Sequence, residues 1–119
     1  MKFKNYTVLL AIKRSASSTQ VVEDVLLNDT WDKYDFLLMA GFINSSWKLD
    51  WVLAPVYILL NTTATEFSRS YCGVDVIASE NAYFRINIES NNFNKANVVY
   101  KNSANFSRGW IWGIKFRNL

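Results

Sequence analysis

A chain of 119 residues, 50% hydrophobic and 19% charged, fits one domain (residues 1–119) whose core needs no metal or disulfide staple. That balance excludes a disordered tail, and a net charge of +3 with no basic run longer than Lys13-Arg14 leaves no nucleic-acid footprint. Histidine is absent and Cys72 is the single cysteine, which excludes an intrachain disulfide and a Cys/His metal cluster.

The first strand candidate is Lys4–Ile12. Its apolar part, Thr7 to Ile12, is too short for a signal-peptide core and has no small-residue cleavage site. "KRSASSTQ" separates it from Val21–Leu27, and Asn28–Lys33 offers one helical turn with Asn28 as N-cap. Tyr34–Ile43 and Leu49–Leu60 come next, and both read as apolar on two faces. In the first, Tyr34, Phe36, Leu38 and Phe42 oppose Leu37, Met39 and Ile43; in the second, Val52, Val56, Ile58 and Leu60 oppose Trp51, Leu53, Tyr57 and Leu59. The run Trp51 to Leu60 contains Pro55 and is half as long as a membrane helix, so no membrane insertion is expected.

Tyr71–Ala78 includes Cys72, read as a small buried strand residue. Ala82–Glu89 alternates cleanly, with Phe84, Ile86 and Ile88 inward and Tyr83, Arg85, Asn87 and Glu89 toward water. Ala96–Lys101 and Arg108–Arg117 complete the set. The last strand ends in "WIWGIKF", which puts Trp110, Trp112, Ile114 and Phe116 on one face, expected with Trp51 to pack in the core.

Short strands at regular spacing, with no helical period between them, predict an all-β antiparallel sandwich of about eight strands. A sandwich this small has one dry layer, so strands apolar on both faces need a second cover. Roughly six large side chains at about 1.5–3 kcal/mol each make this on the order of ten kcal/mol per chain. With no helix to serve, the expected cover is another copy of the chain, making an obligate homo-oligomer.

Two segments then resemble a known family. "VLLNDTWDKYDFLLM" (Val25–Met39) is similar to the strand-joining motif of C-terminal domains of bacteriophage tail fibres, matched at Leu27, Tyr34, Asp35 and Phe36. The ending resembles the Ile-x-Gly-Ile-Lys/Arg strand that closes many such domains, matched at Gly113, Ile114 and Lys115. The chain departs from the pattern at Asn28-Asp29-Thr30-Trp31, where serine and small residues are expected. The resemblance implies a jelly-roll-like, homotrimeric receptor-binding tip of a virion tail fibre, made in the bacterial host cytoplasm. It also implies a partner on the bacterial surface, a polysaccharide or an outer-membrane receptor.

Without histidine the usual general base is missing. A carboxylate pair could be drawn from Asp29, Asp32 and Asp35, but Asp29 and Asp32 suit turn hydrogen bonds better. With four glycines, none in a phosphate-cradling pattern, the expectation is a non-enzymatic binder without cofactors. Trp31, Trp47, Phe93 and Phe106 lie in polar connectors, as sugar-stacking platforms or as plugs folded over the core. If eight antiparallel strands each cross the domain once, the connectors Lys13–Gln20, Asn44–Lys48, Ser79–Asn81 and Asn102–Ser107 share the end far from the termini. That assigns the ligand to Trp47 and Phe106 with Asn44, Asn105 and Arg14, and turns Trp31 and Phe93 toward the shaft. The competing readings are a structural capsid, decoration or trimerisation module with no ligand, and a monomeric lectin-like domain.

Overall fold

The computed structural model describes residues 3–44, 47–61, 71–89 and 92–118. Its elements are β1 (Phe3–Leu26), a 3-10 turn (Trp31–Lys33), β2 (Phe36–Ile43), β3 (Lys48–Pro55), α1 (Val56–Asn61), β4 (Tyr71–Ser79), β5 (Ala82–Glu89) and β6 (Lys95–Asn118). The two 24-residue strands pair with each other along their whole length, from Phe3↔Asn118 to Leu26↔Lys95. Each passes through both layers of a sandwich. The first half of β1 and the second half of β6 join β2 and β3, in the order β3-β2-β6-β1, as sheet I. The other halves join β5 and β4, in the order β4-β5-β6-β1, as sheet II. The result is an all-β domain of two four-stranded antiparallel sheets, with eight strand segments.

The bend is built by mismatch. Between Ser15↔Ser107 and Ser17↔Asn102, β1 has one residue where β6 has four. Between Ser17↔Asn102 and Val21↔Tyr100, β1 has three where β6 has one. Bulges in both partners at one level turn the ribbon from sheet I into sheet II. The small residues of "SASST" let it turn sharply. Lys13–Gln20 and Asn102–Ser107 are therefore continuous strand, where the sequence reading had connectors.

Inside, Leu37, Met39, Ile43, Leu10 and Ile111 of sheet I meet Val74, Val76, Phe84, Ile86, Ile88 and Val98 of sheet II, all buried. The inward half of the alternation expected for 83–89 holds, with Phe84, Ile86 and Ile88 fully buried, whereas Asn87, expected toward water, is 8% exposed beneath the close approach of Gly73. Gly41 and Gly109 lie opposite each other in the β2–β6 ladder and make a notch for sheet II side chains. A Cβ on Gly109 would run into the Phe84 ring, and one on Gly41 would lie 2.8 Å from Val76 Cγ2. The open edge, where the two halves of β1 face each other, carries the Lys13–Glu23 ion pair at 2.7 Å. That hydrogen bond holds the Lys13 ammonium above its ordinary pKa.

Two expectations are corrected. Leu49–Leu60 is not one strand: it ends at Pro55 and continues as α1, with Val56 and Leu59 buried and Tyr57, Ile58 and Leu60 exposed. Proline cannot donate to the ladder, and the Val56 N–H bonds instead to the Asp35 carbonyl at 2.9 Å. Nor does Asn28 cap the 3-10 turn. Its backbone and side-chain N–H groups donate to the carbonyls of Leu10 and Leu9, where Leu10 bulges between the pairs Leu9↔Trp112 and Ala11↔Ile111, and Thr30 precedes the turn without a side-chain cap. The side chain of Cys72, expected to be buried, lies outside the described ones.

Asp29 organises the turn: its carboxylate accepts from the Thr30 N–H (2.8 Å), the Lys33 ammonium (2.9 Å) and the Tyr34 hydroxyl (3.1 Å). These bonds, Lys33 foremost, hold its carboxyl below the ordinary 3.8. A depressed carboxyl contributes stability above that value and loses it as the pH falls through the folded one. Thermal melts between about pH 5 and pH 2 should therefore fall less steeply for Asp29→Asn than for the parent chain; equal slopes would exclude this role. Gly109→Ala should destabilise by about 1–3 kcal/mol in urea melts through overpacking against Phe84. Adding Phe84→Leu should recover part of the loss, and a double variant less stable than either single one contradicts the notch.

Candidate functional site

The pairing register gathers one end of the sandwich. Ile43 pairs with Ser107, Ser107 with Ser15, and Ala82 with Asn102. The β2–β3 turn, the β4–β5 turn and the ribbon bend therefore meet at the end opposite Phe3 and Asn118. Lys48 Nζ ties the layers there by donating to the Ile77 carbonyl at 2.8 Å. Arg14, Asn44, Trp47, Asn105 and Phe106 all belong to this far end. Arg14 lies in β1, and Asn105 and Phe106 in β6, and the side chains of these three are outside the described ones.

Trp47 stands out. It is 81% exposed and has φ 51°, the left-handed backbone that bulky residues rarely adopt. The strain is of order 1–2 kcal/mol. Its N–H donates to the Asn44 carbonyl at 3.3 Å, and its ring packs edge-on to Phe42 with centroids 6.0 Å apart. Among the sequence-predicted residues, Asn44 and Trp47 are thus brought together directly.

The near end is closed by side chains. Trp31 is fully buried, its indole N–H donates to the Asn92 carbonyl at 2.6 Å, and the Phe93 ring meets it edge-on at 5.2 Å. Trp31 is thus a plug, while Phe93 packs on it with 39% of its surface exposed.

The outer faces of the two sheets differ in kind. Sheet II faces water with Asp24–Lys95 (3.1 Å) and Asp75–Arg85 (2.8 Å) ion pairs and with Lys101 bonded to Asn81. Sheet I presents Leu49, Trp51 and Leu53 on β3, Phe36, Leu38, Ala40 and Phe42 on β2, and Trp110, Trp112, Ile114 and Phe116 on β6. This corrects the expectation for the closing strand and for Trp51. Ile111 points into the core, while Trp110, Trp112 and Trp51 stand on the outside, Trp51 62% exposed. Both sides of β6 are apolar here, so alternation alone could not tell inside from outside. Glycines facing inward at 109 and 113 were the missed signal: a strand face with Gly at alternate positions is one on which something packs closely.

The rings on this face are ordered. Trp110 and Trp112 stack with centroids 5.9 Å apart, the Arg108 guanidinium sits 5.7 Å from the Trp110 centroid, and Phe36 meets Phe116 edge-on at 5.7 Å. Leu38, Ala40, Leu49, Trp51, Trp110 and Trp112 enclose an open apolar groove of about 450 Å³. Four strands about 4.8 Å apart and eight residues long span on the order of 500 Å² of flat sheet. That is the upper range of apolar patches on monomers and approaches one partner's share of a standard interface, about 800 Å² of accessible surface. Among the described residues, no cluster of His, Cys, Asp and Glu could hold a metal ion, and no helix is long and apolar enough to cross a membrane. Asp29 serves the turn, and Asp35 accepts the Phe116 N–H at 2.7 Å.

The two apolar faces respond differently to charge. Leu37→Asp, on the fully buried face, should prevent folding; Leu53→Asp, on the 46% exposed outer face, should keep the circular-dichroism signature of the sandwich but reduce association. Trp112→Ala should cost an isolated subunit less than the roughly 3–5 kcal/mol of a core aromatic. A Leu53→Asp chain that unfolds as Leu37→Asp does would show that the outer face is needed within the subunit.

Comparison with family models, with curated proteins and with solved structures finds no match to this chain.

Proposed function

We propose that the domain is a non-enzymatic, homotrimeric receptor-binding tip of the tail-fibre kind, attaching to a bacterial surface glycan. The observation that carries this reading is the contrast between the outer face of sheet I, with its cluster of aromatic rings, and that of sheet II, where ion pairs stand among the exposed Val22, Leu26 and Ile77. Burying the first in a trimer removes its rings from water and turns the second outward. The folded β1–β6 ribbon is the feature that supports a jelly-roll-like description; the inner strands depart from it by pairing locally as β2–β3 and β4–β5 hairpins.

The tail-fibre resemblance gains a physical sense from contacts between its two motifs. Tyr34 fills the space over Gly113, where a Cβ would lie 2.6 Å from the ring. The Asp35 N–H donates to the Ile114 carbonyl at 2.9 Å, and the Asp35 carboxylate holds Phe116. Each motif is the other's packing partner.

In this reading the far end carries the receptor surface, with Trp47 as an exposed aromatic anchor beside Asn44 and the positions of Arg14, Asn105 and Phe106. Three sites per trimer would let weak single-site binding give firm attachment. One observation favours the alternative, a trimerisation module without a ligand: through Phe42, Trp47 continues the apolar face and could itself be buried between subunits.

Light scattering at micromolar concentration should give about three times the chain mass of 13.8 kDa. A monomer stable to dilution overturns the assembly. Trp47→Gly suits the left-handed backbone and should leave the melting temperature nearly unchanged while adsorption to host cells falls sharply. If the trimer forms and adsorption survives, Trp47 is not the anchor; if the trimer itself is lost, Trp47 belongs to the interface.

A further inference from the structure

Sheet II carries a groove of about 310 Å³ beside the far end, near the lower limit for small-ligand pockets (about 300–1,000 Å³). Its centre is Tyr83. The Tyr83 hydroxyl donates to Gln20 Oε1 at 2.6 Å, and Tyr83 and Gln20 belong to β5 and β1, on opposite sides of β6. Neighbouring strands lie about 4.8 Å apart, so the side chain reaches across β6 and its ring lies along the sheet. Tyr83 is part-buried, and the hydrogen bond fixes its rotamer in advance of any ligand.

Ile77, which is 52% exposed, and Val99 extend the apolar floor. At its side stands the Asp75–Arg85 pair, 2.8 Å apart, which places a carboxylate and a guanidinium side by side. Glu80 of the β4–β5 turn adds a second carboxylate, leaving the groove with one more negative than positive side chain.

A fixed aromatic plane, a small aliphatic floor and adjacent acceptors and donors are what a pyranose ring needs. Its apolar C–H face stacks on the ring, and its vicinal hydroxyls donate to carboxylates and accept from guanidinium. The excess carboxylate disfavours uronic acids and phosphorylated sugars. We propose that this groove is a subsite for a neutral hexopyranose of a surface polysaccharide. The proposal rests on the reading of the domain as a receptor-binding tip, in which sheet II faces outward at the receptor end.

Saturation-transfer NMR on the 119-residue chain, with gluco-, galacto- and manno-oligosaccharides and with oligogalacturonate as the acidic control, tests it. At least one neutral series should receive saturation on its ring C–H protons, and oligogalacturonate should receive less. Tyr83→Ala should weaken binding at least about tenfold, while Tyr83→Phe, which keeps the ring, should stay within about threefold. Ile77→Lys, which fills the groove from an edge strand, should abolish the signal and carries the same decision if Tyr83→Ala fails to fold. No transfer to any neutral series, tighter binding of oligogalacturonate, or wild-type binding by a folded Tyr83→Ala or Ile77→Lys chain overturns the subsite. The two readings fail separately. A monomer that binds neutral sugar through Tyr83 retains the groove and removes the trimeric tip; a trimer whose cell adsorption ignores Tyr83→Ala retains the tip and removes the groove.

Discussion

The domain depends on one long antiparallel ribbon that changes layers. Because β1 and β6 stay paired while they turn from sheet I into sheet II, the two sheets share a continuous hydrogen-bonded ladder along one side. The inner hairpins then need only to extend each half, β2–β3 against β6 in sheet I and β4–β5 against β6 in sheet II. The matched bulges near Ser15–Val21 and Asn102–Ser107 are thus the corner of the sandwich, and the Lys13–Glu23 pair braces the open edge beside it. Edge strands left by this arrangement fall on β3, β4 and the two halves of β1, where strand pairing with another chain is geometrically open.

At the opposite end, order comes from side chains reaching into backbone. Asp35 bonds twice to the closing strand, through its N–H to the Ile114 carbonyl and through its carboxylate to the Phe116 N–H, and Tyr34 needs Gly113 to make room. Trp31 buries a large ring and satisfies its one donor on the Asn92 carbonyl. Among the described residues, the near end is thus plugged at Trp31, while Phe93 and Tyr57 remain partly or largely exposed. The far end holds the left-handed turn at Trp47 and the Tyr83 groove, both open to solvent. Loops on a rigid scaffold are where recognition residues commonly sit, which is the division that the proposed function uses.

The two outer faces divide the lateral surface in the same way. Ion pairs and amides on sheet II are worth little to stability but keep that face soluble. The stacked tryptophans on sheet I have no such role in water. The two faces give the subunit a polarity, and in the proposed assembly association through sheet I would direct the groove on sheet II outward. The proposed interface and the proposed recognition surface would then be separated by the thickness of the core.

Much was legible in the residues alone. Alternation in 83–89 identified the inward face of β5, and the β-branched segments with polar connectors identified the sandwich class, because pleated strands expose every second side chain. Counting strands brought Trp47 and the bends at 13–20 and 102–107 to one end, since antiparallel crossing alternates ends whatever the sheet assignment. What alternation could not supply was the choice between two apolar faces. For β6 that choice was made by Phe84 and Tyr34 pressing on Gly109 and Gly113, contacts between residues far apart in sequence. The same holds for Pro55, where the strand gives way to α1 because the Val56 N–H finds the Asp35 carbonyl. Tyr83 read only as an outward residue; its hold on Gln20 spans 63 positions of sequence and exists only once β6 lies between them. Local period is thus written in the chain, while sidedness, bends and grooves arise from which distant residues come to share a space.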